Sequence, residues 1–224
     1  MKKIIYNKYD KKLISKLPKV NFEGRIFVIV SPHETKKAVD FLLTKSILGV
    51  DTETRPSFKK GKQNLVSLLQ VASREECFLF RLNHTGITPD IVRLLEDETV
   101  PKVGLSLHDD ICSLTRRKAF KPGAFFDLQD HFSELGVKDL SLQKLYANVF
   151  GEKISKAQQL SNWEADVLSD KQKLYAATDA WACIRLYDEY VRLKQTGDFI
   201  LQEVEEPTEK IEDLRFDVVK SRQG

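Results

Sequence analysis

A chain of 224 residues is long enough for one sizeable domain with trimmings and too short for two of that size. With 42% hydrophobic and 31% charged residues it has the composition of a soluble globular protein, and a net charge of +3 permits a nucleic-acid partner without demanding one. Cys77, Cys112 and Cys183 are too scattered for a disulfide framework or a thiolate metal site, and no run nears the ~20 apolar residues of a membrane span, so a cytoplasmic protein is expected.

Residues 1–24 read as a basic arm: lysines are frequent and periodicity is weak. Asn7, Lys8, Asp10 and Lys11 interrupt any signal-peptide core. Arg25 to Val30 is a short β-rich run. Pro32 with Glu34 and Thr35 opens a helix that extends through Leu43, with Ala38, Phe41 and Leu42 on one face. The run from Ile47 to Thr54 reads as a strand that starts apolar and ends with Asp51 and Glu53. Arg55 to Lys62 is a loop by its Pro, Gly and Ser content. Leu65 to Val71 and Cys77 to Leu82 are two further strands joined by the polar turn Ser73-Arg74-Glu75, so three consecutive strands are expected to form an antiparallel meander.

Beyond the meander, Ile91 to Leu95 is a helix, Lys102 to Leu107 a strand, and Asp109 to Arg116 a helix with Ile111, Cys112 and Leu114 inward. Ala124 to Leu128 is a short strand and Leu140 to Phe150 a helix. A loop containing Trp163, read as a core residue, leads to a long helix from about Asp170 to about Lys194. Residues 196–224 are expected to be an acidic tail, its structure from Glu203 onward left open. The pattern is that of a mixed α/β sheet with helices on its faces, and residues 25–195 are expected to form the domain. Neither GxGxxG nor GxxxxGKS/T occurs, which argues against a nucleotide cofactor.

The acidic residues at the ends of these elements carry the functional argument. Strand side chains alternate, so Asp51 and Glu53 point the same way. Two like charges ~4 Å apart repel by roughly 4 kcal/mol at an effective dielectric near 20, so such a pair takes up a proton, binds a cation or sits in solvent at the strand end. Asp109 and Asp110 open a helix, where an Asp can also be a cap. In the long helix, Tyr175 and Asp179 are four apart and share a face. Thr178, Arg185 and Glu189 read as its solvent side, which groups Asp179 with Ala182, Cys183 and Leu186 and makes it an inward-facing carboxylate flanked by alanines. An all-oxygen set without His or Cys suits Mg²⁺ or Mn²⁺, and two such ions ~3.5–4 Å apart serve phosphodiester cleavage.

Asp51-Thr52-Glu53, Asp110 with Leu114 four residues on, and Tyr175 with Asp179, in this order and at these separations, resemble the three motifs of the DEDD 3′–5′ exonucleases of the tyrosine subclass. The likeness is nearest to the Werner-type and ribonuclease D domains. Arg55-Pro56-Ser57-Phe58, Ser67-Leu68-Leu69-Gln70, Ser161-Asn162-Trp163 and the run from Gln172 to Ala180 echo it, and it spans roughly residues 25–192. The resemblance implies a ribonuclease H-like fold and release of mononucleotides from DNA or RNA 3′ ends by two-metal-ion hydrolysis. It implies that Asp51 bridges two divalent ions, Mg²⁺ or Mn²⁺. Glu53 and Asp179 hold the ion that binds the attacking water, Asp110 serves the other, and Tyr175 orients the water. Asp110 is preferred to its neighbour Asp109 because Leu114 gives the family spacing and Ile111 follows directly. The third motif carries tyrosine rather than the catalytic histidine of the sister subclass.

In the loop after the first motif, Arg55, Lys59, Lys60 and Lys62 are expected to follow a phosphate backbone and Phe58 to stack on a base, with Lys153 and Lys156 extending the track. A stand-alone catalytic domain is expected, since neither a helicase signature nor a second nucleic-acid-binding domain follows. The competing readings are a non-catalytic nucleic-acid-binding domain of the same fold and a phosphoesterase acting on small nucleotides. DNA is not distinguishable from RNA at this level.

Overall fold

The computed structural model describes residues 2–59, 61 and 63–204. The chain begins with β1 (Lys3–Tyr6), α1 (Lys11–Ile14), β2 (Arg25–Ile29) and α2 (Pro32–Leu42). The meander follows as β3 (Leu48–Thr54), β4 (Val66–Ala72) and β5 (Glu76–Arg81). Next come α3 (Leu82–Thr85), α4 (Pro89–Glu96), β6 (Lys102–Gly104), α5 (Leu107–Arg117), β7 (Phe125–Asp127) and α6 (Leu128–Glu134). The described chain closes with α7 (Leu142–Phe150), α8 (Asp170–Thr196) and β8 (Phe199–Gln202).

The main sheet has six strands in the order β2-β5-β4-β3-β6-β7. The expected meander is present: β3 pairs antiparallel with β4, and β4 with β5, whereas β2, β6 and β7 join parallel to their neighbours. Alternation along the strands separates two cores. Leu48 and Val50 of β3 pack with Ala38, Val39 and Leu42 of α2, Ile91 and Leu94 of α4, and Leu114 of α5. The opposite face packs against α6, α7 and above all α8, whose Ala176, Ala177 and Ala180 are buried.

Local chemistry fixes where α8 sits. Ser169 and Gln172 form a capping box at its start, and Gly197, at φ +64°, ends it. It crosses β3 at Gly49, where an added Cβ would lie 1.9 Å from the Ala180 carbonyl oxygen. Only a residue without a side chain allows this approach, and it brings the acidic end of β3 beneath Asp179.

Four features differ from expectation. Residues 3–22 are not a solvated arm. β1 pairs parallel with β8, and Ile5, Ile14 and Phe22 are buried. Three apolar anchors so far apart give no periodicity to read. This segment covers the face of α8 that reads as solvent-exposed: Thr178 is buried and its hydroxyl accepts from the Phe22 N–H at 3.0 Å, while Glu189 pairs with Lys3. The strand from Lys102 ends at Gly104, because Ser106 adopts a left-handed conformation (φ 59°, ψ 41°) and α5 starts at Leu107. Cys112 is exposed rather than inward. The expected acidic tail is described only as far as Val204, and β8 lies within it.

Candidate active site

β3 carries Asp51 and Glu53 on its α8 face, and α8 carries Asp179 with Tyr175 one turn earlier. One carboxylate oxygen from each of Asp51, Glu53 and Asp179 lies within 4.8 Å of the other two. Asp110 enters from α5, in the opposite layer, where it accepts a hydrogen bond from the Thr52 hydroxyl. Its charge raises the pKa of both Asp51 and Glu53, so it belongs to the same field. Asp109 is exposed to solvent.

Burial and mutual repulsion act together on these groups. Burial first, then Asp110, Asp179 and Glu53, push Asp51 well above the usual carboxylate range. Burial, Asp179 and Asp110 push Glu53 up to about 9. Asp110 rises to about 6 through burial, held back by the Thr52 hydroxyl. Asp179 rises to about 7 through burial, held back by the Tyr175 hydroxyl and the Lys156 ammonium. Burial and the Asp179 and Glu53 charges also drive the Tyr175 phenol upward, so it keeps its proton and acts as a donor.

A divalent cation fits this set. The donors are all carboxylate oxygens within reach of one another, their shared charge is offset only in part by Lys156, and Asp179 Oδ1 is buried without a hydrogen-bond partner among the described residues. Without a cation the cluster is driven to take up protons; with one, the carboxylates ionise together.

The acids open into a cleft of about 260 Å³ whose facing wall includes Leu142, Gln143, Ile154 and Lys156. Trp163 is fully buried, as the sequence suggests, and its ring lies 6.0 Å from that of Tyr175. The buried Arg81 guanidinium donates to the Ala165 and Asp166 carbonyls and pins the loop that delivers Trp163.

Arg55, Phe58 and Lys59 of the expected nucleic-acid loop do not line this cleft. Arg55 pairs with Glu164 at 3.2 Å, Phe58 is 88% exposed and Lys59 is exposed. Lys60 and Lys62 lie outside the described residues. Of the two suggested additions to the track, Lys156 lines the cleft and Lys153 donates to the Ser15 carbonyl.

Two further residues shape the site, Thr52 and Asp127, and nothing local in the sequence marks either for that role. Thr52 points away from Asp51 and Glu53 by strand alternation, yet this is how it reaches Asp110 in the other layer. Asp127 accepts from the Ser106 N–H at 2.8 Å, the Leu107 N–H at 2.7 Å and the Gln129 N–H at 2.9 Å. It thereby holds the left-handed turn that starts α5 and sets the register of Asp110. Its place just before a helix marks it as a cap, but not as a clamp on a second helix.

The profile of a family described as 3′–5′ exonuclease matches residues 26–193. The bifunctional 3′–5′ exonuclease/ATP-dependent helicase WRN of Mus musculus is 32% identical over 167 residues, which cover 71% of this chain and 12% of that protein. The chain thus spans about an eighth of that relative's length. Among solved structures, the Aedes aegypti Nibbler EXO domain superposes with a TM-score of 0.69 at 21% identity, covering 76% of this chain and 89% of that one. The Trypanosoma brucei RNase D complex with RNA U12 gives 0.66 at 24% identity, covering 76% and 63%. The fold is the ribonuclease H-like arrangement expected from the sequence.

Proposed function

Because the chain belongs to the 3′–5′ exonuclease family, we propose that it hydrolyses nucleic acid from the 3′ end and releases mononucleotides. The observation that carries this reading is the meeting of Asp51 and Glu53 of β3 with Asp179 of α8 beside Tyr175 in an open cleft, with Asp110 of α5 near enough in the other layer to raise the pKa of Asp51 and Glu53. Asp51, Glu53, Asp110 and Asp179 would hold two divalent ions, Mg²⁺ or Mn²⁺, which supply Lewis-acid stabilisation of the attacking and leaving oxygens.

The chain's own groups do the remaining work. Tyr175 keeps its proton at neutral pH and directs it to Asp179, so its hydroxyl oxygen accepts from the attacking water and orients it rather than deprotonating it. Water attacks phosphorus and gives up one proton, the bond to the upstream O3′ breaks, and that oxygen takes up a proton in its place to leave a new 3′-hydroxyl. The product is a nucleoside 5′-monophosphate. Lys156 faces the acids across the cleft and offsets the charge of the reacting phosphate. Leu142 and Ile154 give the terminal sugar and base an apolar wall. Phe58 and Lys59 stand outside, where a longer strand would pass.

The test is digestion of linear and circular single strands of DNA and RNA with Mg²⁺, Mn²⁺ or EDTA. A 3′-label should appear at once as mononucleotide and a 5′-label as a shortening ladder, with circles resistant. Cleavage of circles would contradict the reading. Turnover of small nucleotide esters without turnover of oligomers would favour a phosphoesterase instead.

A further inference from the structure

A second cleft of about 300 Å³ adjoins the catalytic one. Ile154, Ser155 and Tyr175 line both, so the two share a wall. Their chemistry is opposite. The first carries Asp51, Glu53 and Asp179; the second carries Lys19, Asn21, Gln158, Lys171 and Thr178, and no carboxylate lines it among the described residues. Neither Lys19 nor Lys171 is ion-paired among the described residues. The neighbouring acid Asp170 is neutralised by Lys173 at 2.6 Å and leaves Lys171 uncompensated.

The far wall is built by the N-terminal segment, which lies outside the matched residues 26–193. The Lys153 N–H donates to the Pro18 carbonyl at 2.8 Å and the Val20 N–H to the Lys153 carbonyl at 3.0 Å. The Phe22 N–H bonds the Thr178 hydroxyl of α8 at 3.0 Å. Lys19 and Asn21 sit between these anchors, so their backbone is fixed against both the Ile154 loop and α8.

We infer that this second cleft binds a nucleotide phosphate apart from the acidic cluster, and that holding it is a function of the N-terminal segment. The inference rests on the exonuclease reading. A strand entering an acidic site brings phosphates that the carboxylates repel, and Lys19 and Lys171 across Tyr175 are the uncommitted cations placed to receive one. The released mononucleotide carries the same group.

The experiment compares wild type with Lys19→Glu/Lys171→Glu, and with Lys37→Glu/Lys121→Glu as a control of equal charge change in the opposite layer. KM and kcat are measured on a dinucleotide and a 12-mer, with the Ki of the nucleoside 5′-monophosphate. If the strand supplies the phosphate, KM for the 12-mer rises at least ten-fold while kcat and the dinucleotide KM hold. Loss of one phosphate contact also lowers the salt slope of 12-mer affinity by about 0.7, at ~0.7 per phosphate for single strands. If the product supplies it, Ki rises at least ten-fold and KM holds. Either result supports the cleft, provided that the control changes neither. Unchanged KM, Ki and salt slope in a variant that melts like wild type would overturn it. If wild type turns over no oligonucleotide, the exonuclease reading fails by itself, and 12-mer binding in EDTA decides the cleft: a ten-fold loss supports it and no loss overturns it.

Discussion

Replacing Glu53 by Gln probes the acidic cluster through stability instead of turnover. Glu53 is only 8% exposed, and burial, Asp179 and Asp110 raise its pKa from 4.5 to about 9. The unfolded chain releases this proton near pH 4.5, whereas the folded, metal-free protein keeps it until about pH 9. Between those values the folded state binds more protons than the unfolded one, so the Glu53 contribution to stability falls as pH rises. At pH 7 the cost is at most about 3 kcal/mol, from 7 − 4.5 pH units at about 1.36 kcal/mol each, reduced by solvent in the open cleft. Glutamine keeps the shape and has no proton to lose. About 1 kcal/mol moves the Tm of a domain this size by ~2–4 °C. In EDTA at pH 7, Glu53→Gln should therefore melt several degrees above wild type, and the gap should close below pH 4.5. Mn²⁺ should narrow it by raising wild type more. Calorimetric melting across this pH range, with EDTA and with Mn²⁺, reads all of this. No gap at pH 7, or a gap that widens as pH falls, would refute the reasoning.

Asp51→Asn should be inactive with Mg²⁺ yet melt at or above wild type in EDTA, with a smaller gain from Mn²⁺; a lower Tm in EDTA with a full Mn²⁺ response would make Asp51 structural. Tyr175→Phe keeps the ring against Trp163 and removes the hydroxyl, so turnover should fall by ~10²–10⁴ while oligonucleotide affinity holds; an unaltered rate would remove Tyr175 from the mechanism. Asp127→Asn keeps the Oδ1 that accepts from the Ser106 and Gln129 N–H groups but puts an amide donor against the Leu107 N–H, costing on the order of 1 kcal/mol as one lost hydrogen bond and at least ten-fold in rate as Asp110 shifts. Ser31→Ala removes the cap of α2 and should lower Tm without the rate loss; equal rates in the two variants would dismiss Asp127 as a positioning residue.

The sequence was most legible where a single period governs. Alternation puts Asp51 and Glu53 on one face of β3, and the helical repeat puts Tyr175 and Asp179 on one face of α8; the structure brings three of these carboxylates together. Asp110 was approachable only through the spacing that the family resemblance supplies, because nothing local distinguishes it from Asp109. What could not be read is non-local. The solvent side of α8 was misjudged at Thr178 and Glu189, since the segment covering them lies more than 150 residues earlier and its anchors, Ile5, Ile14 and Phe22, follow no period. The end of β6 was misplaced because the turn at Ser106 is held by Asp127, 21 residues on, and not by a glycine. The parallel pairing of β2 with β5 closes one edge of the sheet without a local signal.

The claim that these carboxylates are one catalytic metal site is tested most directly by anomalous scattering from Mn²⁺-soaked crystals. The account predicts one peak among Asp51, Glu53 and Asp179 and a second between Asp51 and Asp110, both lost in Asp51→Asn. Mn²⁺-dependent turnover from crystals with no peak at these side chains would contradict it.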